Sequence, residues 1–256
     1  MSSERAGGSA SPLAAATTES SVKPRAVVSL SGGMDSTVCA ALAARDFDAY
    51  ALHVSYGQRT EARELASALE IATALGFRDF LHLKMDLFRR IGGSALVDST
   101  IAVPDAAAET SAEASHAANR TGDDVPVTYV PFRNAHFLSA AVSWAEVLGA
   151  QTVFIGAVEQ DSSGYPDCRP AYYEAFNRLI EAGTRDGSIR ITTPLIRMRK
   201  SEIVRLGVEL GAPLHVSWSC YTGEETACGV CESCALRLRA FHEAGHEDPI
   251  PYARRG

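Results

Sequence analysis

Two clusters of residues in this sequence have the types and spacing to do chemistry. The first is Ser31-Gly32-Gly33-Met34-Asp35-Ser36-Thr37, directly after the apolar run from Ala26 to Leu30. Successive glycines let a chain turn sharply and bring its N–H groups against a ligand with no Cβ in the way. Ser31, Asp35 and Ser36 then fall around the start of a helix, where free N–H groups and the positive dipole end favour an anion. The stretch reads as a phosphate cradle. Its nucleotide-binding segment is taken as Leu30, Ser31, Gly32, Gly33, Met34, Asp35, Ser36, Thr37, Val38, Cys39 and Ala40. It lacks the Lys-Ser or Lys-Thr that closes the usual mononucleotide loop, and it is not the dinucleotide fingerprint.

The second cluster is Cys220, Cys228, Cys231 and Cys234, with seven, two and two residues between them. Soft thiolates at two-residue intervals suit a tetrahedral zinc ion, and four of them leave no position open for water, which makes such a site structural. Metal binding of this kind contributes folding free energy, about 10 kcal/mol in small zinc peptides. An iron–sulfur cluster also takes four cysteines. Disulfides fit poorly, because nothing in the sequence reads as a secretion signal and intracellular thiols stay reduced. Of the other two cysteines, Cys39 is expected to be packed inside the first helix, and Cys168 belongs to a polar segment described next.

Three polar segments interrupt a chain otherwise rich in alanine: His53 to Arg59, Tyr129 to Phe137, and Gly156 to Asn177. Loops that merely connect do not need so many donors, acceptors and aromatics. The elements that position them alternate. Ala26 to Leu30, Ala49 to Val54, Phe80 to Met85, Thr152 to Ile155 and Ile189 to Thr192 read as strands. Ala62, Leu65, Ala66, Leu69, Ala72 and Leu75 recur at helical spacing, as do Phe137, Leu138, Ala141, Val142, Ala145 and Leu148, with Gly76 stopping the first of these helices. Strands separated by helices imply a doubly wound, mostly parallel α/β sheet. Ligands of such sheets sit outside the carboxyl ends of the strands, where the cradle and the polar segments would converge.

Residues 1–24 are rich in Ser, Ala, Gly and Thr and read as a disordered tail. An α/β domain is expected over 25–210, with 92–126 as a mobile insert, and a zinc-binding region over 211–256. The net charge is −7, and Asp98 to Asp124 alone holds six acids against one base. No basic stripe of the kind that binds a long nucleic acid is visible, and no apolar run is long enough for a membrane span. A cytoplasmic protein without a stable nucleic-acid or membrane partner is expected, with a homodimer as one option for its assembly.

The run Ser31 to Ser36 resembles the pyrophosphate loop of the ATP pyrophosphatase superfamily. Those enzymes cleave ATP between its α and β phosphates and pass AMP to a substrate oxygen. Taken with Tyr56-Gly57-Gln58-Arg59, Val130-Pro131-Phe132-Arg133-Asn134, the segment Ser163 to Arg169, Lys200-Ser201-Glu202 and the four cysteines with Leu236-Arg237 behind them, the chain is similar to the 7-cyano-7-deazaguanine synthase (QueC) family over roughly Ala26 to Phe241. The resemblance implies an adenine nucleotide alpha-hydrolase-like fold and a ligase using ATP with Mg2+, 7-carboxy-7-deazaguanine and ammonia, with one structural Zn2+. It implies catalytic roles for Asp35, Arg133 and Lys200 at the triphosphate and its magnesium. It also implies substrate contacts from Glu159, Asp161, Tyr165, Asp167 and Arg169, and zinc ligation by Cys220, Cys228, Cys231 and Cys234. The family often has Gly where Phe132 stands and Asp where Ser55 stands, and Phe132 is expected to narrow the nucleotide pocket. The rival readings are a tRNA sulfurtransferase with the same loop, which would need Cys39 or Cys168 as sulfur carrier, and a nucleotide-binding zinc protein without turnover.

Overall fold

The computed structural model describes residues 23–106, 120–121, 125–159 and 165–254. In chain order the elements are β1 (Arg25–Ser29), α1 (Met34–Asp46), β2 (Asp48–Ser55), α2 (Glu61–Ala74), β3 (Asp79–Lys84) and the short α3 (Leu87–Ile91). A two-stranded antiparallel pair, β4 (Arg120–Thr121) with β5 (Val125–Pro126), precedes α4 (Arg133–Leu148) and β6 (Thr152–Ile155). The chain ends with α5 (Pro170–Gly183), β7 (Arg190–Thr192), α6 (Lys200–Glu209) and α7 (Glu232–Ala244).

Five strands form one sheet in the order β3-β2-β1-β6-β7, and every pairing is parallel. The pleat sends alternate side chains to opposite faces. Ala26, Val28 and Leu30 therefore face α1, α2, α6 and α7, while Val27 faces α4 and α5. Both faces are covered, so the strands read in the sequence as short unbroken apolar runs. The order of winding reverses between β1 and β6. The crevice outside their carboxyl ends is thus the switch point at which doubly wound sheets hold ligands.

The segment after α3 is tied down at its start. Arg59 reaches across with Nε on Ala95 O at 2.7 Å and Nη2 on Ile101 O at 2.6 Å. Ala106 N–H bonds Val230 O at 2.9 Å, and Asp105 bridges to Cys231. Leu96 joins Tyr56, Phe88 and Val130 in a small apolar cluster. Charge composition misses this anchoring, because the bonds run to main-chain carbonyls that every sequence has. Helix α7 likewise sends Ala240 and Phe241 into the main core beside Leu195, Ile203 and Val204. No helix among the described residues is long and apolar enough to cross a membrane.

Candidate active site

Where β1 gives way to α1, the two glycines do different jobs. Gly32 has φ +92°, and a Cβ there would meet the main-chain oxygen of Glu64 at 2.5 Å and Ser67 Cβ at 3.1 Å. Only glycine fits between the loop and α2. Gly33 is under no such constraint: at φ −76° its Cβ would meet nothing nearer than Ser31 Oγ at 3.4 Å. Gly33 lines the cavity, so its missing side chain leaves room for a ligand. Ser31 Oγ accepts the Gly33 N–H at 3.2 Å and donates to Ser36 Oγ at 3.0 Å, while Ser36 and Thr37 both donate to Gly33 O. These bonds hold the turn in shape. Gly156, at the end of β6, presses on the start of α1: a Cβ there would lie 2.8 Å from Asp35 O and Ser36 N.

The cavity at the switch point has a volume of about 300 Å³. Leu30, Ser31, Gly33, Met34, Asp35 and Ser36 of the expected nucleotide segment line it. Gly32 packs on α2 instead, and Thr37, Val38, Cys39 and Ala40 are buried. The three polar segments meet here, contributing Tyr56, Gln58 and Arg59, then Arg133, Asn134 and Phe137, then Gly156 to Val158 with Tyr165 and Cys168.

Asp35, Arg133 and Lys200 share this wall although α1, α4 and α6 carry them. Lys200 Nζ donates to Asp35 Oδ2, and Asp35 Oδ1 is buried without a hydrogen-bond partner among the described residues. A lysine in the first turn of a helix opposes the helix dipole. Its carboxylate partner, Asp35, offsets that. Arg133 donates from Nη1 to Tyr56 Oη at 2.8 Å and lies 5.2 Å over the Tyr56 ring. Burial pushes Tyr56 up to about 12, against the pull of Arg133, so this phenol stays neutral.

Sequence reasoning missed Glu64 as a site residue. Glu64 faces the cavity from the side of α2 that carries Ser67, Ala68 and Ile71, whereas Ala62 and Leu69 of the expected stripe are exposed, and in the sequence a solvated acid would look no different. Burial raises it to about 7, opposed by hydrogen bonds from Thr60 and Gln58 and by the charge of Arg133. Missed too was Trp218, whose main-chain N–H donates to Gly32 O at 2.7 Å.

The four cysteines lie with their sulfurs within 4.8 Å of one another, as a metal site requires. Zn–S bonds of about 2.3 Å in a tetrahedron put sulfurs roughly 3.8 Å apart, and Cys228 Sγ is 3.9 Å from Cys234 Sγ. Main-chain N–H groups of Gly223 and Cys228 point at Cys220 Sγ from 3.2 and 3.3 Å, and that of Cys231 points at Cys228 Sγ from 3.3 Å. Such donors favour thiolate. The cluster adjoins the cavity: Ser219 Oγ accepts the Met34 N–H at 3.4 Å, and Thr60 Oγ1 is 3.2 Å from Cys220 O.

The expected substrate residues do not all gather. Tyr165 lines the cavity, its hydroxyl bonded to Thr128 Oγ1 at 2.8 Å and its ring 5.6 Å from that of Tyr129. Asp167 is buried away from the lining, where its Oδ2 accepts the Asn134 N–H at 3.3 Å at the start of α4. Burial, opposed by Arg133, raises its pKa. Glu159 and Arg169 are exposed and outside the lining, and Asp161 lies outside the described residues. Phe132 does not narrow the pocket. Its left-handed backbone, φ 57°, turns the ring out to 59% exposure against His136. Ser55 bonds His82 Nε2 at 2.8 Å from the end of β2.

Against known proteins, residues 25–245 match the family model described as "Queuosine biosynthesis protein QueC". The chain belongs to the QueC family. It is 71% identical over 233 residues to the 7-cyano-7-deazaguanine synthase of Acidobacterium capsulatum, covering 91% of this chain and 98% of that one. To the enzyme of the same name from Koribacter versatilis it is 59% identical over 234 residues, covering 90% and 94%. A looser likeness is to the NH3-dependent NAD synthetase from Campylobacter jejuni subsp. jejuni, at TM-score 0.42 and 17% identity over 77% of this chain and 68% of that one.

Proposed function

We propose that this QueC-family chain condenses 7-carboxy-7-deazaguanine with ammonia, consuming ATP, to give 7-cyano-7-deazaguanine. A carboxylate is a poor electrophile because its oxygen leaves badly, and transfer of AMP makes that oxygen a good leaving group. Ammonia then displaces AMP to give the amide. A second transfer of AMP, to the amide oxygen, and its loss give the nitrile. The enzyme's contribution is positioning and charge stabilisation, without a nucleophile of its own.

The observation that carries this reading is the meeting of the anion cradle with Asp35, Arg133 and Lys200 in one cavity at the switch point. In it, the cradle and the two cations hold the β and γ phosphates as they depart. Asp35 fits a Mg2+ ion, since its buried Oδ1 lacks a partner among the described residues and carboxylate oxygen is the donor this ion takes. Such an ion would neutralise phosphate charge. The cysteine cluster fits Zn2+ by its all-sulfur donor set, and as a closed site its work is structural. Tyr165 stacks on the deazaguanine, whereas Arg169 and Glu159, exposed and outside the lining, carry no part of this reading. Asp167 serves the site by fixing the start of α4, and so Arg133.

A sulfur-transfer reading is disfavoured by the spare thiols. Burial and then the Asp35 charge raise Cys39, and burial and then Asp167 push Cys168 up to about 12. Neither is a ready thiolate. Incubation with the carboxy-deazaguanine, ammonium and ATP tests the proposal. AMP and pyrophosphate should form with the nitrile, and Asp35→Ala should abolish both in a folded protein. Release of ADP and phosphate, or no consumption of ATP, would refute it.

A further inference from the structure

Addition of ammonia to an activated carboxyl leaves a proton to be removed, and so does loss of AMP from the activated amide. A group for this task must reach the cavity, hold a fixed orientation and titrate near neutrality. Most titratable groups on the wall are already engaged. Asp35 is bonded to Lys200, the Tyr56 hydroxyl accepts from Arg133, the Tyr165 hydroxyl donates to Thr128, and Arg59 clamps main-chain carbonyls. Arg237 is paired with Asp248.

Glu64 differs. Its Oε1 accepts from Thr60 Oγ1 at 2.8 Å and its Oε2 from Gln58 Nε2 at 3.1 Å. Gln58 is itself locked, because its Oε1 accepts the Tyr56 N–H at 2.8 Å, which leaves only its amide nitrogen to face Glu64. Each carboxylate oxygen has one protein donor and a remaining lone pair. The groups that face Glu64 are Arg133 on α4, Tyr56 after β2 and Glu61 on its own helix. Neither Arg133 nor the neutral Tyr56 can accept the proton.

We propose that Glu64 takes the proton from ammonia as it adds to the activated carboxyl carbon, an inference that rests on the reaction above. The C–N bond forms, the bond from carbon to the AMP oxygen breaks with its electron pair leaving on AMP, and one N–H proton passes to the Glu64 carboxylate and on to water. The products are amide, AMP and a proton, with no change of oxidation state.

Glu64→Gln and Glu64→Asp test it, each read in two assays. Substrate-dependent exchange of pyrophosphate into ATP, which reports adenylation alone, should persist in both variants. Ammonia-dependent turnover should fall roughly 100-fold or more in Glu64→Gln, the ordinary worth of such a group, and less in Glu64→Asp. With rates plotted against free ammonia, the acidic limb near pH 7 should vanish in Glu64→Gln only. Hydroxylamine should still trap the adenylate. Wild-type turnover and pH profile in Glu64→Gln would overturn the inference, as would a raised KM for the carboxy-deazaguanine at unchanged kcat. Loss of exchange in both variants would overturn it too, since Glu64 would then serve the fold or the nucleotide. Failure of the wild-type protein to form AMP from the carboxy-deazaguanine would refute the proposed reaction instead.

Discussion

Breaking the buried pair between Arg237 and Asp248 should cost this protein much of its stability. Both side chains are 2% accessible, and the guanidinium meets the carboxylate in two bonds, Nε to Oδ2 at 2.8 Å and Nη2 to Oδ1 at 3.0 Å. Arg237 also donates to Ser217 Oγ at 2.8 Å and Leu214 O at 3.1 Å. Arg237→Met strands Asp248 with only the Tyr252 hydroxyl and the Ile250 N–H. Removing one partner of a buried pair costs about 3–5 kcal/mol, whereas replacing both costs far less. A chain of this size loses about 2–4 °C of Tm per kcal/mol, so the single variant should melt roughly 6–20 °C lower. Adding Asp248→Asn should recover part of the loss, and the double-mutant cycle should show a coupling of at least about 2 kcal/mol. Thermal melts and urea titrations of the metal-loaded full chain would measure it. A single variant within about 1 kcal/mol of wild type, or a coupling near zero, would refute the reasoning. Because Arg237 Nη1 also reaches Ser219 Oγ at 3.5 Å, and Ser219 holds the Met34 N–H, KM for ATP should stay raised in the double variant.

Gly32→Ala should lose roughly 2–5 kcal/mol from its positive φ and its clash with α2, whereas Gly33→Ala should keep its melting temperature and raise KM for ATP. Comparing melts with ATP kinetics separates the two. Cys231→Ser should release the bound metal and lose stability together, by metal analysis and melting; a folded but inactive variant holding its metal would point to a catalytic ion instead. His53, 1% exposed with Nδ1 on Leu30 O, is lowered to about 4, by burial first. The unfolded chain therefore binds its proton first, and His53 costs about 3 kcal/mol as pH falls from 6.5 to 4. Glu64, raised from 4.5 to about 7, contributes with the opposite sign, losing stability as pH rises through that window. Wild type should be flatter between pH 4.5 and 6.5 than His53→Gln, which should gain stability as pH falls; parallel profiles would contradict this.

The five strands of the main sheet and the helices α2 and α4 were legible in the sequence because apolar periodicity follows backbone geometry, and β1, β2, β3 and β6 lie within a residue of their expected limits. The buried face of α2 was not: it carries Ser67, Ala68, Ile71 and Ala72, and the expected Ala62 and Leu69 are exposed. The cysteine spacing and the glycine turn were legible for a similar reason, since each packs its chemistry into a few consecutive residues. The fold class also implied that the polar segments meet the cradle at one sheet edge, but individual side-chain pairings were not legible. That Lys200 reaches Asp35, that Asp167 props the start of α4 and that Phe132 turns outward depend on contacts between elements far apart in the chain. Glu64 was hidden for the same cause: in one dimension an acid on a helix is solvated, and only packing against the turn at Gly32 turns it into the wall of a cavity. Local pattern determined which elements form and which groups they carry. Tertiary packing decided which of those groups share one space, because burial and charge pairing are properties of neighbours that sequence order does not name.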